Sequence, residues 1–181
     1  SATNDAAIGI ARALGYQFFD ENNKELSPTG ESLAKIKQID SSGIKVDLSN
    51  LKFTALYDVN NTLFGKNGAA HVYAPQKGAS REAVLALDAG LRHFAGLIKQ
   101  KFNLNIDNIP GGGAAGGIGA GLIAFLNAEL KSGIQTIMEV SKFTEPLHSA
   151  NLVISGEGKI DQQTLEGKVI NGVTRLSEKL T

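Results

Sequence analysis

The stretch of this chain best suited to chemistry is Ser155-Gly156-Glu157-Gly158-Lys159-Ile160-Asp161. It follows the wholly apolar run Leu152-Val153-Ile154, which reads as a short strand from the interior of a parallel sheet. In open α/β sheets, ligands lie beyond the carboxyl ends of strands. Two glycines there let backbone come close to a ligand, and Glu157 and Asp161 place two carboxylates just past the strand. Carboxylates so placed can hold Mg2+, which takes oxygen ligands, or accept the proton of a substrate hydroxyl. Lys159 and Lys168 could face phosphate or a substrate carboxylate. The same residues equally suit a solvated loop whose acids start a helix.

A second group of residues is rich in glycine. Gly111-Gly112-Gly113-Ala114-Ala115-Gly116 fits the spacing G-x-G-x-x-G. A dinucleotide site needs a strand before the glycines and an acid about 20 residues after them. Asn108-Ile109-Pro110 is poor strand sequence and Glu129 falls within an expected helix, so that reading fails. A helix start opened by Gly112 and Gly113 still suits an anion. Close packing on small residues is the other account. Asp58-Val59-Asn60-Asn61, then Gly65 and Gly68, then Pro75-Gln76-Lys77-Gly78 put an acid, amides and a lysine along one stretch. Such a set can bind a polyhydroxy acid, although these are also ordinary turn residues. Thr3, Asn4 and Asp5 are helix caps first and ligands second. A P-loop motif and a G-x-S-x-G elbow are both absent, and His71, His93 and His148 lack metal-ligand spacing.

The elements that must position these loops are legible in the hydrophobic pattern. Asn4 and Asp5 precede Ile8, Ile10, Ala11 and Leu14, with Gly15 as a stop, which predicts a capped helix. Tyr16 to Phe19 predicts a strand closed by the polar turn Asp20-Glu21-Asn22-Asn23. Ser27-Pro28 opens a short helix carrying Leu33, Ile36 and Ile39. Phe53 to Val59 predicts a strand running into a polar loop. Ser80 to Phe102 is the clearest helix, with Val84, Leu87, Leu91, Phe94 and Ile98 on one face. Leu122 to Leu130 predicts a buried helix after the glycines, and Val169, Val173, Leu176 and Leu180 a final one. Helices alternating with short strands point to an α/β fold.

Composition narrows the function classes. Basic and acidic residues number 18 each for a formal net charge of 0, without the basic excess of a duplex-binding surface. The chain has no cysteine, which excludes disulfides and thiolate metal sites. No apolar run approaches the ~20 residues needed to span a bilayer, and Ser1-Ala2-Thr3-Asn4-Asp5 lacks the features of a signal peptide. The expectation is a cytoplasmic enzyme that binds neither nucleic acid nor membrane. Glycine at 21 residues against 4 prolines indicates tight loops between packed elements.

Taken in order, five blocks resemble the type I glycerate kinases, bacterial-type enzymes that phosphorylate D-glycerate with ATP. The blocks are Ser-Ala-Thr-Asn-Asp at 1–5, Tyr57 to Asn61 with Gly65 and Gly68, Ala74 to Ala79, Gly111 to Gly117, and Ser155 to Asp161 with Gly167-Lys168. Pro75-Gln76-Lys77-Gly78-Ala79 and Gly156-Glu157-Gly158 are the most distinctive. The sequence departs from the family at Ala6 and Ala7, where glycines are common, at Thr62 in place of a proline, and at Thr164 in place of a serine.

The resemblance implies two α/β domains, a flavodoxin-like one and a second inserted into it, with the active site in the cleft between them. Residues 1–150 would then be mainly the inserted domain, and 151–181 a strand-loop-helix piece of the flavodoxin-like domain. The chain would be a central portion of a longer protein, lacking the remainder of its own chain. Alone it is expected to be inactive, because water would not be excluded and ATP would lack part of its site. The expected reaction uses ATP and Mg2+ to phosphorylate either hydroxyl of D-glycerate. Asp161 and Glu157 would handle metal or proton, with Asp58 as a second candidate base. Lys77 and Lys168 would neutralise phosphate or carboxylate. Asn4, Asp5, Asn60, Gly112 and Gly113 would line the substrate or phosphate site. The alternative is a non-enzymatic α/β module that binds an anion in its glycine loops.

Overall fold

A computed structural model of the chain describes residues 3–156, 158 and 169–178, and its first helix is built on a carboxylate. Helix α1 (Ile8–Ala13) begins where Asp5 accepts the N–H of Ala7 on Oδ1 and that of Gly9 on Oδ2, each at 3.2 Å. Those bonds satisfy donors that a helix start otherwise leaves unpaired. The expected stop follows: Gly15, at φ 108°, donates to the carbonyl of Arg12.

Strand β1 (Gln17–Phe19) pairs antiparallel with β2 (Gln38–Asp40), setting Phe18 opposite Ile39. The polar turn between them forms as expected, with Asp20 Oδ1 accepting the N–H groups of Asn22 and Lys24 at 2.9 Å. The short helix expected to carry Leu33, Ile36 and Ile39 is different. It is a 3-10 helix, Gly30–Lys35, and the chain turns extended at Ile36 so that Ile39 sits in β2. Steps of three residues fit a 3-10 turn as well as an α-helix, and pairing with β1 decides the rest.

Strands β3 (Thr54–Tyr57) and β4 (Glu129–Ser132) make a second two-stranded ladder. Between them come α2 (Ala69–Tyr73), a 3-10 turn at Pro75–Lys77, α3 (Arg81–Phe102) and α4 (Ala114–Leu126). Helix α3 follows its sequence pattern closely. Ser80 Oγ accepts the N–H of Ala83 at 3.2 Å, Lys99 and Lys101 occupy the last turn, and Val84, Leu91, Phe94 and Ile98 are buried. The buried helix expected to run from Leu122 to Leu130 instead stops at Leu126. Asn127 turns left-handed at φ 49°, and Glu129 and Leu130 join β4. Asn is one of the few side chains that tolerate that conformation.

The chain forms two compact units. The first holds the described residues up to Ala55 together with Asn60–Leu130; the second holds Leu56–Val59 and the described residues from Lys131 onward. The first unit's core centres on Phe125, whose ring lies 4.9 Å from that of Tyr16, 6.0 Å from Phe18 and 5.9 Å from Phe94. In the second unit, α5 (Gly133–Val140) packs against α7 (Val169–Glu178), and α6 (Thr144–Leu147) lies between them in sequence. A Cβ on Gly172 of α7 would stand 2.7 Å from Ile134 of α5.

The strand expected at Leu152-Val153-Ile154 is not formed. Leu152 is 77% exposed and Ile154 87% exposed, and among the described residues none pairs with them. A three-residue apolar run states that burial is favourable but does not specify a neighbour.

Candidate functional site

Three of the five sequence blocks, joined by the Asn60 to Gly68 portion of a fourth, meet within the first unit. The turn Pro75–Lys77 sends the Lys77 ammonium to the carbonyl oxygen of Thr3, which accepts a hydrogen bond at 2.6 Å. Burial is the larger influence on this ammonium and lowers its pKa below the ordinary lysine value, while the nearby Asp5 carboxylate pushes it back up. Asp5 is itself engaged: besides its bonds to Ala7 and Gly9, it accepts the Thr3 hydroxyl at 2.7 Å.

Asn4, between Thr3 and Asp5 in the chain, is 7% exposed. Its Oδ1 and Nδ2 are both buried and have no hydrogen-bond partner among the described residues. A buried amide left so costs about 1–3 kcal/mol per group.

The glycine block packs on this loop. Ala115, Gly116 and Gly117 are left-handed in succession, at φ 52°, 78° and 90°, so the regular helix begins after them. Gly116 accepts the N–H of Ala6 at 3.2 Å, and a Cβ on Gly116 would stand 2.2 Å from the Thr3 carbonyl oxygen. Gly113 is as constrained on the other side. It donates its N–H to the carbonyl of Asn61 at 2.8 Å, and its own Cβ would lie 2.2 Å from the Thr62 oxygen. Gly112 donates to Ile109 at 2.9 Å. The amides of Gly112 and Gly113 are therefore occupied by protein carbonyls, and these glycines serve the close approach of backbones. Ala6 and Ala7 are left-handed at φ 50° and 63°. Ala6 is fully buried within the core cluster, so its methyl packs inward.

The other expected site residues fall elsewhere. Asn60 is exposed at the start of the loop leading to Gly68. Asp58 belongs to the second unit and is exposed there, with Oδ1 where a Cβ on Gly133 would approach to 2.5 Å, at the first residue of α5. Glu157, Asp161 and Lys168 lie outside the described residues. No group of three metal-ligating side chains occurs among the described residues. His93 is a packing histidine, its Nε2 lying 2.7 Å from the Ile36 carbonyl oxygen.

Of three further residues around the site, Asn61 was read from sequence as one amide of a polar stretch, and Asp88 and Tyr73 were not singled out. Asn61 donates its amide to Asn67 O at 2.9 Å and accepts the Tyr73 hydroxyl. Asp88, on the buried face of α3, accepts the Gly65 N–H at 2.7 Å. Asp88 did carry a signal: it is an acid at i+4 from Val84 and i−3 from Leu91, inside the apolar stripe. Tyr73 carried none.

Within an α/β fold, the loops thus bring together a lysine, a buried amide and a glycine-rich turn. The glycerate kinase family profile matches residues 1–181, and the chain belongs to that family. Glycerate 2-kinase of Escherichia coli strain K12 is 44% identical over 179 residues, covering 99% of this chain and 47% of that protein. Glycerate kinase of Halalkalibacterium halodurans is 42% identical over 179 residues, with the same coverage. The crystal structure of a Salmonella typhimurium LT2 protein assigned as glycerate kinase 2 superposes with a TM-score of 0.83 at 40% identity, covering 100% of this chain and 48% of that one. The chain thus spans about half the length of the curated relatives it matches.

Proposed function

We propose that this chain contributes the hydroxy-acid side of a D-glycerate kinase site, and that the whole protein transfers the γ-phosphoryl group of ATP to a glycerate hydroxyl. The observation that carries this reading is that the half-buried Lys77 ammonium bonds to the carbonyl of Thr3, next in the chain to Asn4, whose buried amide has no partner among the described residues. An ammonium and an amide match the carboxylate and hydroxyls of glycerate, and binding would give Asn4 the partner it lacks.

In the reaction the glycerate oxygen bonds to the γ-phosphorus, the bond to the β–γ bridging oxygen breaks, and ADP leaves with that electron pair. The hydroxyl proton passes to a carboxylate, for which Asp161 is the first candidate and Asp58 the second. Lys77 and Lys168 would balance anionic charge. Glu157 and Asp161 are the proposed holders of Mg2+, which would supply further neutralisation at the phosphates. Residues 151–181 are proposed to belong to the flavodoxin-like part, and a cytoplasmic location is part of the same reading. Because the relatives are about twice as long, turnover is expected of the whole protein and not of these 181 residues alone.

The test is ATP- and D-glycerate-dependent ADP release by the full-length protein, compared with Lys77→Met and Asp161→Ala. Unchanged turnover in Lys77→Met would remove that residue from the site, and no turnover in the parent would remove the activity. A second reading, a non-catalytic anion module, is favoured by one fact: Lys77, Asn4 and the glycine turn all lie in the first unit. It requires D-glycerate to bind this chain equally well with and without Mg2+, and the full-length protein to release no ADP.

A further inference from the structure

Helix α3 buries one charged residue along its core-facing stripe. Asp88 is 8% exposed, among Val84, Gly90, Leu91, Phe94, Ala95 and Ile98. Burying a carboxylate is costly, and an apolar residue of similar size commonly serves stability as well or better. The bonds made by this carboxylate indicate what it does instead. Oδ1 accepts the N–H of Gly65 at 2.7 Å, and Oδ2 lies 3.5 Å from the Arg92 guanidinium one turn along. Arg92 in turn covers the ring of Phe64 at 4.5 Å. Between them the α3 pair therefore grips two adjacent loop residues, Asp88 holding Gly65 and Arg92 covering Phe64.

The grip extends to the candidate site through backbone. Gly65 is left-handed at φ 93° and accepts the N–H of Gly68 at 2.8 Å, which closes the turn. Within that loop, Asn61 donates its side-chain amide to Asn67 and accepts Gly113 N–H on its carbonyl. Gly113 opens the glycine turn whose Gly116 packs on Thr3, and Thr3 accepts the Lys77 ammonium. An acceptor fixed on a rigid helix thus stands at one end of a short chain of contacts, with Lys77 at the other.

We propose that Asp88 is a positioning residue: its buried carboxylate fixes the Phe64–Gly68 turn and, through Asn61, the placement of the glycine turn beneath Thr3 and Lys77. The positional claim stands on the contacts alone; only its catalytic consequence rests on the glycerate kinase reading. Charge is not the essential property, since a carboxamide oxygen at the same place also accepts from Gly65. Arg92 lies mainly at the surface, so its pairing with Asp88 is a secondary contribution.

The experiment is residue-resolved amide hydrogen exchange on the 181-residue chain as wild type, Asp88→Ala and Asp88→Asn. Loss of the acceptor should speed exchange at Gly65 and Gly113 by about tenfold or more, the scale of a local opening. Ile98 in the same helix should keep its wild-type rate, and Asp88→Asn should bring Gly65 and Gly113 back near wild type. Acceleration confined to Gly65 overturns the proposal, because the turn would then not hold the glycine loop. Uniform acceleration along α3, Ile98 included, also overturns it, because Asp88 would then serve only stability. No substrate enters this measurement, so its outcome is independent of whether the whole protein phosphorylates glycerate. If it does, Asp88→Ala should lower kcat about tenfold or more with the Asn variant close to wild type.

Discussion

Lys77 and Thr3, 74 residues apart in sequence, are joined by a 2.6 Å hydrogen bond from the ammonium to a main-chain carbonyl. Among the described residues it is the one bond this ammonium makes, which leaves its other protons for an acceptor from outside. A lysine held in this way is costly for the fold and useful to an anion, and its titration follows from that.

Burial lowers the Lys77 pKa in the folded chain below the unfolded value of 10.5. Between the two values the unfolded chain binds more protons, so stability rises with pH there. The contribution is complete above the unfolded value and is lost as pH falls through the folded one. Anion binding runs the other way, because the ammonium is the binding form. D-glycerate affinity, measured calorimetrically, is expected to fall as pH rises through the folded pKa, and Lys77→Met should abolish that dependence.

Asn4→Leu separates stability from binding. It removes two buried polar atoms without partners among the described residues, so folding stability should hold or rise by up to about 2 kcal/mol. Ligand affinity should fall by about tenfold or more, the worth of one well-made hydrogen bond to a charged group. Paired urea melts and titrations check this. A loss of stability beyond about 1 kcal/mol would mean that the amide is satisfied in solution.

Two glycine substitutions should differ in a defined order. Gly65→Ala meets no atom within 4 Å, so it costs only left-handed strain, about 1–2 kcal/mol. Gly116→Ala has the same kind of strain and also forces a methyl to 2.2 Å from the Thr3 oxygen, so about 3 kcal/mol or more is expected. Equal denaturation midpoints for the two variants would contradict the close packing of Gly116 on Thr3.

Phe125→Ala should cost about 3–5 kcal/mol, because its ring touches Tyr16, Phe18 and Phe94 at once. Against a total stability of about 5–15 kcal/mol, that is enough to bring thermal melting close to working temperature.

Local signals read well where one interaction decides. The cap at Ser80, the apolar stripe of α3, the Asp20 turn and the Asp5 helix start are all visible in sequence, because their partners lie within a few residues. The readings that failed depend on distant partners. Ile39 became a strand residue by pairing with Phe18, and Leu152 to Ile154 have no ladder to join among the described residues. The candidate site divides in the same way. Lys77, Asn4 and the glycine block were chosen by residue type, but the roles of Asn61 and Asp88 appear only once Gly113 and Gly65 have been brought to them.

The packing of Gly116 on Thr3 also has a consequence in time. A ribosome makes Thr3, Asn4 and Asp5 among the first residues of this stretch, and the segment that covers them more than a hundred residues later. Loop-closure entropy grows only slowly with that separation, so the delay comes from synthesis more than from search. Until Gly116 emerges, Ala6 lacks its acceptor and the nascent loop remains uncovered. Stalled chains from which Gly111 has not yet emerged should therefore be cleaved by a protease near Ala6, and chains from which Leu126 has emerged should resist it.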